Sequence, residues 1–141
     1  MKKFSQSIAL VALLACVSAA YARDDKLLLP IQDALNAPEA AQVLNPNVKL
    51  YFAKSSGRVI KSGLVTNRKT NSVGKSDEAA CQWAFLAAVK QLQEQAAAQN
   101  ANKVTNIVSY YKKNSMASTK VYECHAGGVI AGVALKGDLA N

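Results

Sequence analysis

Between Ser76 and Gln99 the apolar residues recur at helical spacing, and Cys81, Ala84, Phe85, Ala88, Val89, Leu92 and Ala96 gather on one side of the predicted helix. Ser76 is a good N-cap, Asp77 and Glu78 suit the positive end of the helix dipole, and Asn100 and Asn102 are able to end the element. Trp83, Leu86 and Ala87 fall on roughly the opposite side, so the first half of this helix is apolar twice over and needs a second cover. The economical cover is the N-terminal Leu27-Leu28-Leu29 segment; the alternative is a partner protein docking on Trp83 and Leu86.

Around the helix the period changes from about 3.6 to 2. Val48, Leu50 and Phe52 alternate with Lys49 and Tyr51, which predicts a half-buried strand; Ser55-Ser56-Gly57 turns the chain into a second strand over Val59 to Thr66, weakened by Gly63. Asn67 to Lys75 is polar, basic and glycine-containing, and is expected to be a loop. Val104 to Lys112 and Thr119 to Leu135 are rich in β-branched and aromatic residues and read as a hairpin joined through Lys113 to Ser118, with a bulge or bend at Gly127-Gly128. Upstream, Ala37 to Leu44 is a short helix with Pro38 in its first turn, ended by Asn45-Pro46-Asn47. The expected fold is α+β: a two-layer domain with an antiparallel sheet of about four strands packed on one long helix, plus a short N-terminal helix.

The first residues follow a different logic. Lys2 and Lys3, the apolar run Ile8 to Ala15, and Ala20-Tyr21-Ala22 ahead of Arg23-Asp24-Asp25 form the three parts of a secretory signal peptide, with cleavage expected after Ala22. The apolar run is too short to span a membrane, which takes about 20 residues, and no later segment approaches that length without charges. Leu13-Leu14-Ala15-Cys16 resembles a lipobox, but Leu at its middle position is a poor match and the A-x-A site fits ordinary cleavage better. The expected organisation is therefore a signal peptide over 1–22 and one domain over 23–141, in the periplasm, with a lipid anchor at Cys16 as the alternative.

Export changes how charge and cysteines are read. Cleavage removes Cys16 and leaves Cys81 and Cys124, a pair expected to be bonded in an oxidising compartment. Their spacing is not C-x-x-C and His125 is the sole histidine, so a redox or metal role is disfavoured, and no metal or cofactor is expected. Removing Lys2 and Lys3 from the 17 basic residues leaves 15 against 9 acidic, a net charge of +6 that favours anionic partners such as lipopolysaccharide, glycan or nucleic acid.

Two surfaces carry candidate chemistry. Gly74-Lys75-Ser76 is the second half of a P-loop directly before a helix, but the first glycine of the motif falls on Lys69. The remnant, with Arg68 and Lys69 beside it, is an anion-binding corner or simply a helix capped by Ser76. Tyr110 and Tyr111 amid Lys112, Lys113 and Lys120 form a basic aromatic hairpin surface for nucleic acid or glycan, or a solvated sheet margin. His125 alternates onto the outer face with Val121 and Glu123 and is expected to be exposed or satisfied.

Asn67-Arg68-Lys69-Thr70-Asn71, Gly74-Lys75-Ser76-Asp77-Glu78, Cys81-Gln82-Trp83-Ala84-Phe85, Ser109-Tyr110-Tyr111-Lys112-Lys113-Asn114, Tyr122-Glu123-Cys124 and Gly132-Val133-Ala134-Leu135-Lys136-Gly137 together resemble small exported proteobacterial proteins often labelled "excinuclease ATPase subunit". The likeness spans essentially all of 23–141 and brings no established catalytic residues. The ATPase in that label meets a broken P-loop here. More loosely, the helix, strand pair and bridging cysteines are similar to the RcsF/YbjQ type of envelope domain, which implies a signalling or interaction role; the chain departs from that type in lacking a second cysteine pair after residue 22 and a convincing lipobox. The expected function is thus a non-enzymatic envelope protein that binds or senses another envelope component, with a basic module for anionic polymers as the alternative.

Overall fold

The computed structural model describes residues 23–141; the expected signal peptide, the expected cleavage site at Ala20 and Ala22, and Cys16 of the lipobox-like stretch lie outside the described residues. In chain order the elements are β1 (Asp25–Pro30), α1 (Ile31–Leu35), α2 (Pro38–Val43), β2 (Lys49–Phe52), β3 (Val59–Asn71), α3 (Asp77–Ala98), β4 (Lys103–Tyr111), β5 (Asn114–Met116), β6 (Val121–Ala126) and β7 (Ile130–Ala140). The fold is a mixed α/β one in which, among the described residues, a seven-stranded sheet meets three helices. That corrects the expected sheet of about four antiparallel strands. The extra strands are β1, β5 and the one gained because the expected Thr119 to Leu135 stretch divides at Gly127-Gly128 into β6 and β7.

The 22-residue helix α3 forms as its sequence predicts. Ser76 caps it, accepting a hydrogen bond from the Ala79 amide at 3.1 Å, and acidic Asp77 and Glu78 occupy its first turn. The predicted core face is fully buried, from Cys81 through Phe85, Val89 and Leu92 to Ala96. Phe85 stacks on Tyr122 of β6 at 4.0 Å between centroids and meets Phe52 of β2 at 5.9 Å, so one ring joins the helix to both wings of the sheet. The Cys81–Cys124 disulfide fixes the same contact, with a Cα separation of 5.9 Å.

The second apolar side of α3 is covered, but not by the expected segment. Leu27 to Leu29 belong to β1, paired with β6, while α1 and α2 pack on α3. Leu86 is completely buried and Trp83 is 40% exposed, so the predicted apolar patch divides and Leu86 is not a surface residue. Gln93 ties the loop after α2 to the helix. Buried at 2% exposure, its amide accepts from the Asn45 amide and donates to the carbonyls of Asn45 and Val48.

Strand β7 is the spine of the sheet. β3 runs antiparallel along one of its edges, and the other edge is shared by β4 toward the C-terminal end and β6 toward the start. Beyond β4 lies β2, parallel to it, and beyond β6 lies β1. The two strands expected to pair through Ser55-Ser56-Gly57 are therefore separated across the sheet. β3 also continues through Asn67 to Asn71, pairing as far as Asn71 with Ile130, which overturns the loop expected there. Its polar side chains face solvent while the backbone bonds to β7, a combination hydropathy does not register.

Both strands flanking β7 carry bulges. The register shifts between Lys61 and Leu64 in β3 and between Thr105 and Val108 in β4, with Gly63 at φ 75° and Asn106 at φ 53°. One side chain serves both: Asp138 of β7 accepts from the Gly63 amide at 2.9 Å and from the Asn106 side-chain amide at 2.9 Å.

Candidate functional site

Cys124 faces α3 through its disulfide, so by alternation His125 and Glu123 lie on the opposite side of the sheet. Directly paired residues share a face. His125 opposite Gly132, and Lys69 opposite Gly132, therefore place Lys69 on the helix-free side with Lys136 and Asp138. Arg68 pairs with Val133, next in β7, and belongs to the helix side.

This separation dismantles the anion corner. Arg68 and Lys69 are strand residues pointing to opposite faces, not companions of the helix terminus. Lys75 donates its ammonium to the Asn71 carbonyl at 2.9 Å, Gly74 turns the chain at φ 76°, and Ser76 caps the helix. Asp77, already at that terminus, is held by a two-pronged contact from Arg23 at 3.0 and 2.9 Å. That hydrogen bond and its charge hold the Asp77 carboxyl below the usual carboxylate range and raise the Arg23 guanidinium.

The helix-free face instead gathers residues around a two-residue turn. Lys112 and Lys113 join β4 to β5, with Tyr111 opposite Asn114, so the turn is tighter than the predicted Lys113 to Ser118 connection. Both lysines have positive φ, 51° and 67°, the hand a tight hairpin demands and one for which Asn-Gly is the usual solution. Each neighbouring tyrosine carries an ammonium over its ring: Lys112 at 5.5 Å from Tyr111 and Lys136 at 4.9 Å from Tyr110.

Beneath the turn Tyr111 stacks on His125 with centroids 3.4 Å apart. Only 13% of the His125 side chain is accessible and one ring nitrogen has a carboxylate partner, so of the two expected states, exposed or satisfied, it is the second that its position on the outer face fits. Its Nε2 bonds the carboxylate of Glu123, which is 8% accessible, and its Nδ1 lies 3.4 Å from Asp24. The latter approach lacks hydrogen-bond geometry, so Nδ1 is left without a hydrogen-bond partner among the described residues. Two clefts flank the stack. One of about 490 Å³ includes Lys26, Lys112, Ser115 and Glu123; the other, of about 260 Å³, includes Arg23, Lys69 and Gly132, and both share Asp24, Tyr111 and His125.

Of the predicted site residues, Tyr111 and Lys112 line these clefts and Lys69 joins Tyr111 from across the sheet, while Tyr110 lies under Lys136 and Lys113 lines neither cleft. Trp83 stands apart on α3. Asp24, Glu123 and His125 were missed as a group; the Glu123-x-His125 alternation signals two of them, but Asp24 arrives only because β1 pairs with β6. Among the described residues no group of three or more His, Cys, Asp or Glu side chains is disposed to hold a metal ion, and no helix is long and apolar enough to cross a membrane. No protein-family model, curated protein or solved structure matches the chain.

Proposed function

We propose that this chain is an exported, non-enzymatic binding module of the cell envelope, and that it takes an anionic envelope polymer of the lipopolysaccharide or glycan kind on the helix-free face of its sheet. The observation that carries this reading is the turn at Lys112 and Lys113. Two consecutive non-glycine residues hold left-handed φ there, at a cost of about 1–2 kcal/mol each, where Asn-Gly would relieve the strain. Strain retained at an exposed turn points to a use for the side chains. Lys112 sets its ammonium over Tyr111 and lines a cleft that Lys26 also lines, and Lys113 follows it as the second, exposed cation of the turn. The tyrosine rings hold Lys112 and Lys136 in place, and the lysines neutralise the acidic groups of the polymer.

The test pairs stability with binding. Lys112→Asn with Lys113→Gly is expected to raise stability by about 1 kcal/mol and to elute from heparin at lower salt than the wild type. Unchanged elution, with the stability gain confirming that the turn has formed, sinks the proposal.

A second reading rests on Trp83. At 40% exposure on the helix side it gives an envelope protein an aromatic anchor. A photoreactive residue at position 83 would trap that partner in intact cells, and absence of any crosslinked protein removes this reading without touching the first.

A further inference from the structure

Not every border of the sheet is alike. β1, β2 and β5 are borders of six, four and three residues, and β1 closes on Pro30, which has no amide to offer. β3 has 13 residues, contains no proline, and among the described residues pairs with β7 alone. From Leu64 to Asn71 its register is unbroken over eight consecutive pairs, so alternate residues turn their N–H and C=O groups away from β7 along about 26 Å of regular strand.

Charge along this border is one-sided. From Ala53 to Ser76 the chain has Lys54, Arg58, Lys61, Arg68, Lys69 and Lys75 and no carboxylate. Arg68 and Lys69 stand on opposite faces, so a strand added beside β3 meets a cation above and below it. Val65, 49% exposed, and Ile60, 40% exposed, supply apolar contact along the same border. Lysines on an edge are the ordinary guard against self-pairing, and they do serve that end: a second copy would bring like charges together. The same charges admit a strand of opposite sign, which makes the guard selective rather than absolute.

We infer that the open border of β3 is a strand-addition site for an extended acidic peptide segment of a partner protein, with carboxylates beside Arg68 and Lys69 and a β-branched residue beside Val65. Backbone hydrogen bonds to Leu64–Asn71 supply the pairing and the cations select the partner. Lys69 is common to this border and to the cleft beside His125, but the backbone groups of Leu64–Asn71 lie away from the Lys112–Lys113 turn and the inference does not depend on polymer binding there.

The experiment uses the full mature protein and a blocked octapeptide of alternating Val and Thr with a central Glu–Glu pair, beside its Lys–Lys counterpart and a version with a central proline. Amide hydrogen exchange and chemical shifts report the contact. The Glu–Glu peptide is expected to slow exchange at alternate amides between Leu64 and Asn71, and the other two peptides are expected to leave them unchanged. Arg68→Glu with Lys69→Glu, both at exposed positions, is expected to weaken the Glu–Glu peptide by about tenfold or more and to admit the Lys–Lys peptide. Shifts scattered over lysines without β3 protection, equal binding of the proline peptide, or protection of β3 that tracks protein concentration through self-association would each overturn the inference.

Discussion

The same strands present two faces with opposite organisation. On the helix side, alternate positions of β7 and β6, namely Ala131, Val133, Leu135, Leu139, Tyr122 and Cys124, are small or apolar and are buried against α3. On the other side the intervening positions bring Gly132, Lys136, Asp138, Glu123 and His125 to clefts, under a strained lysine turn. The helix side is held by burial, which is non-directional and tolerant of small shifts. The open side is held by individual polar contacts, each dependent on geometry: Asp138 across two bulges, Glu123 on His125, Tyr111 over His125. Stability resides on one side and adaptable chemistry on the other, with β7 common to both.

The comparison breaks most severely at the link between helix and sheet. Cys81→Ser with Cys124→Ser opens a loop spanning 43 residues and is expected to cost about 4 kcal/mol on the chain-entropy model, read as a lower urea midpoint. A single-sided injury comes next. Leu86→Ala removes a fully buried side chain and is expected to cost about 2–5 kcal/mol, whereas Trp83→Ala, three residues away and partly exposed, should cost markedly less. Equal losses at the two positions would mean that the helix is covered on both sides alike.

On the open side the largest loss is expected at Asp138. Replacing it with Ala leaves the bulge groups of Gly63 and Asn106 without their charged acceptor, for about 2–3 kcal/mol, and proton exchange at the Gly63 amide should accelerate. If Asp138→Ala is neutral, the bulges are set by packing and the proposed contrast between the faces weakens.

The smallest effect carries a pH signature. Because Arg23 depresses the Asp77 pKa in the folded state, the contribution of this pair is present at neutral pH, above the unfolded value, and is lost as pH falls through the lower folded value. Asp77→Asn should therefore melt below the wild type at neutral pH and converge with it well below 3.8, the ordinary value for the group. A gap that persists in strong acid would assign the effect to contacts that do not depend on the carboxylate charge rather than to the ion pair.

Local sequence determined several parts of this molecule outright. Ser76, Asp77 and Glu78 begin α3, its apolar repeat defines the buried side, and Pro38 opens α2, because each depends on interactions within a few residues. The pairing of Cys81 with Cys124 was also legible, since only two cysteines remain after residue 22. Other features depended on what lies opposite in space. Asn67 to Asn71 is polar enough to be a loop, yet β7 offers it a backbone ladder, and that ladder has no side-chain signature. Leu86 looked like half of a surface patch until α1 and α2 closed over the helix. Asp24 meets His125 only through the antiparallel pairing of β1 with β6, across about a hundred residues of chain. Short-range propensities fix the strongly periodic segments such as α3; which polar segments become strands, which strand stands beside which, and hence which charges share a cleft, are settled by long-range hydrogen bonding and packing that no local window contains.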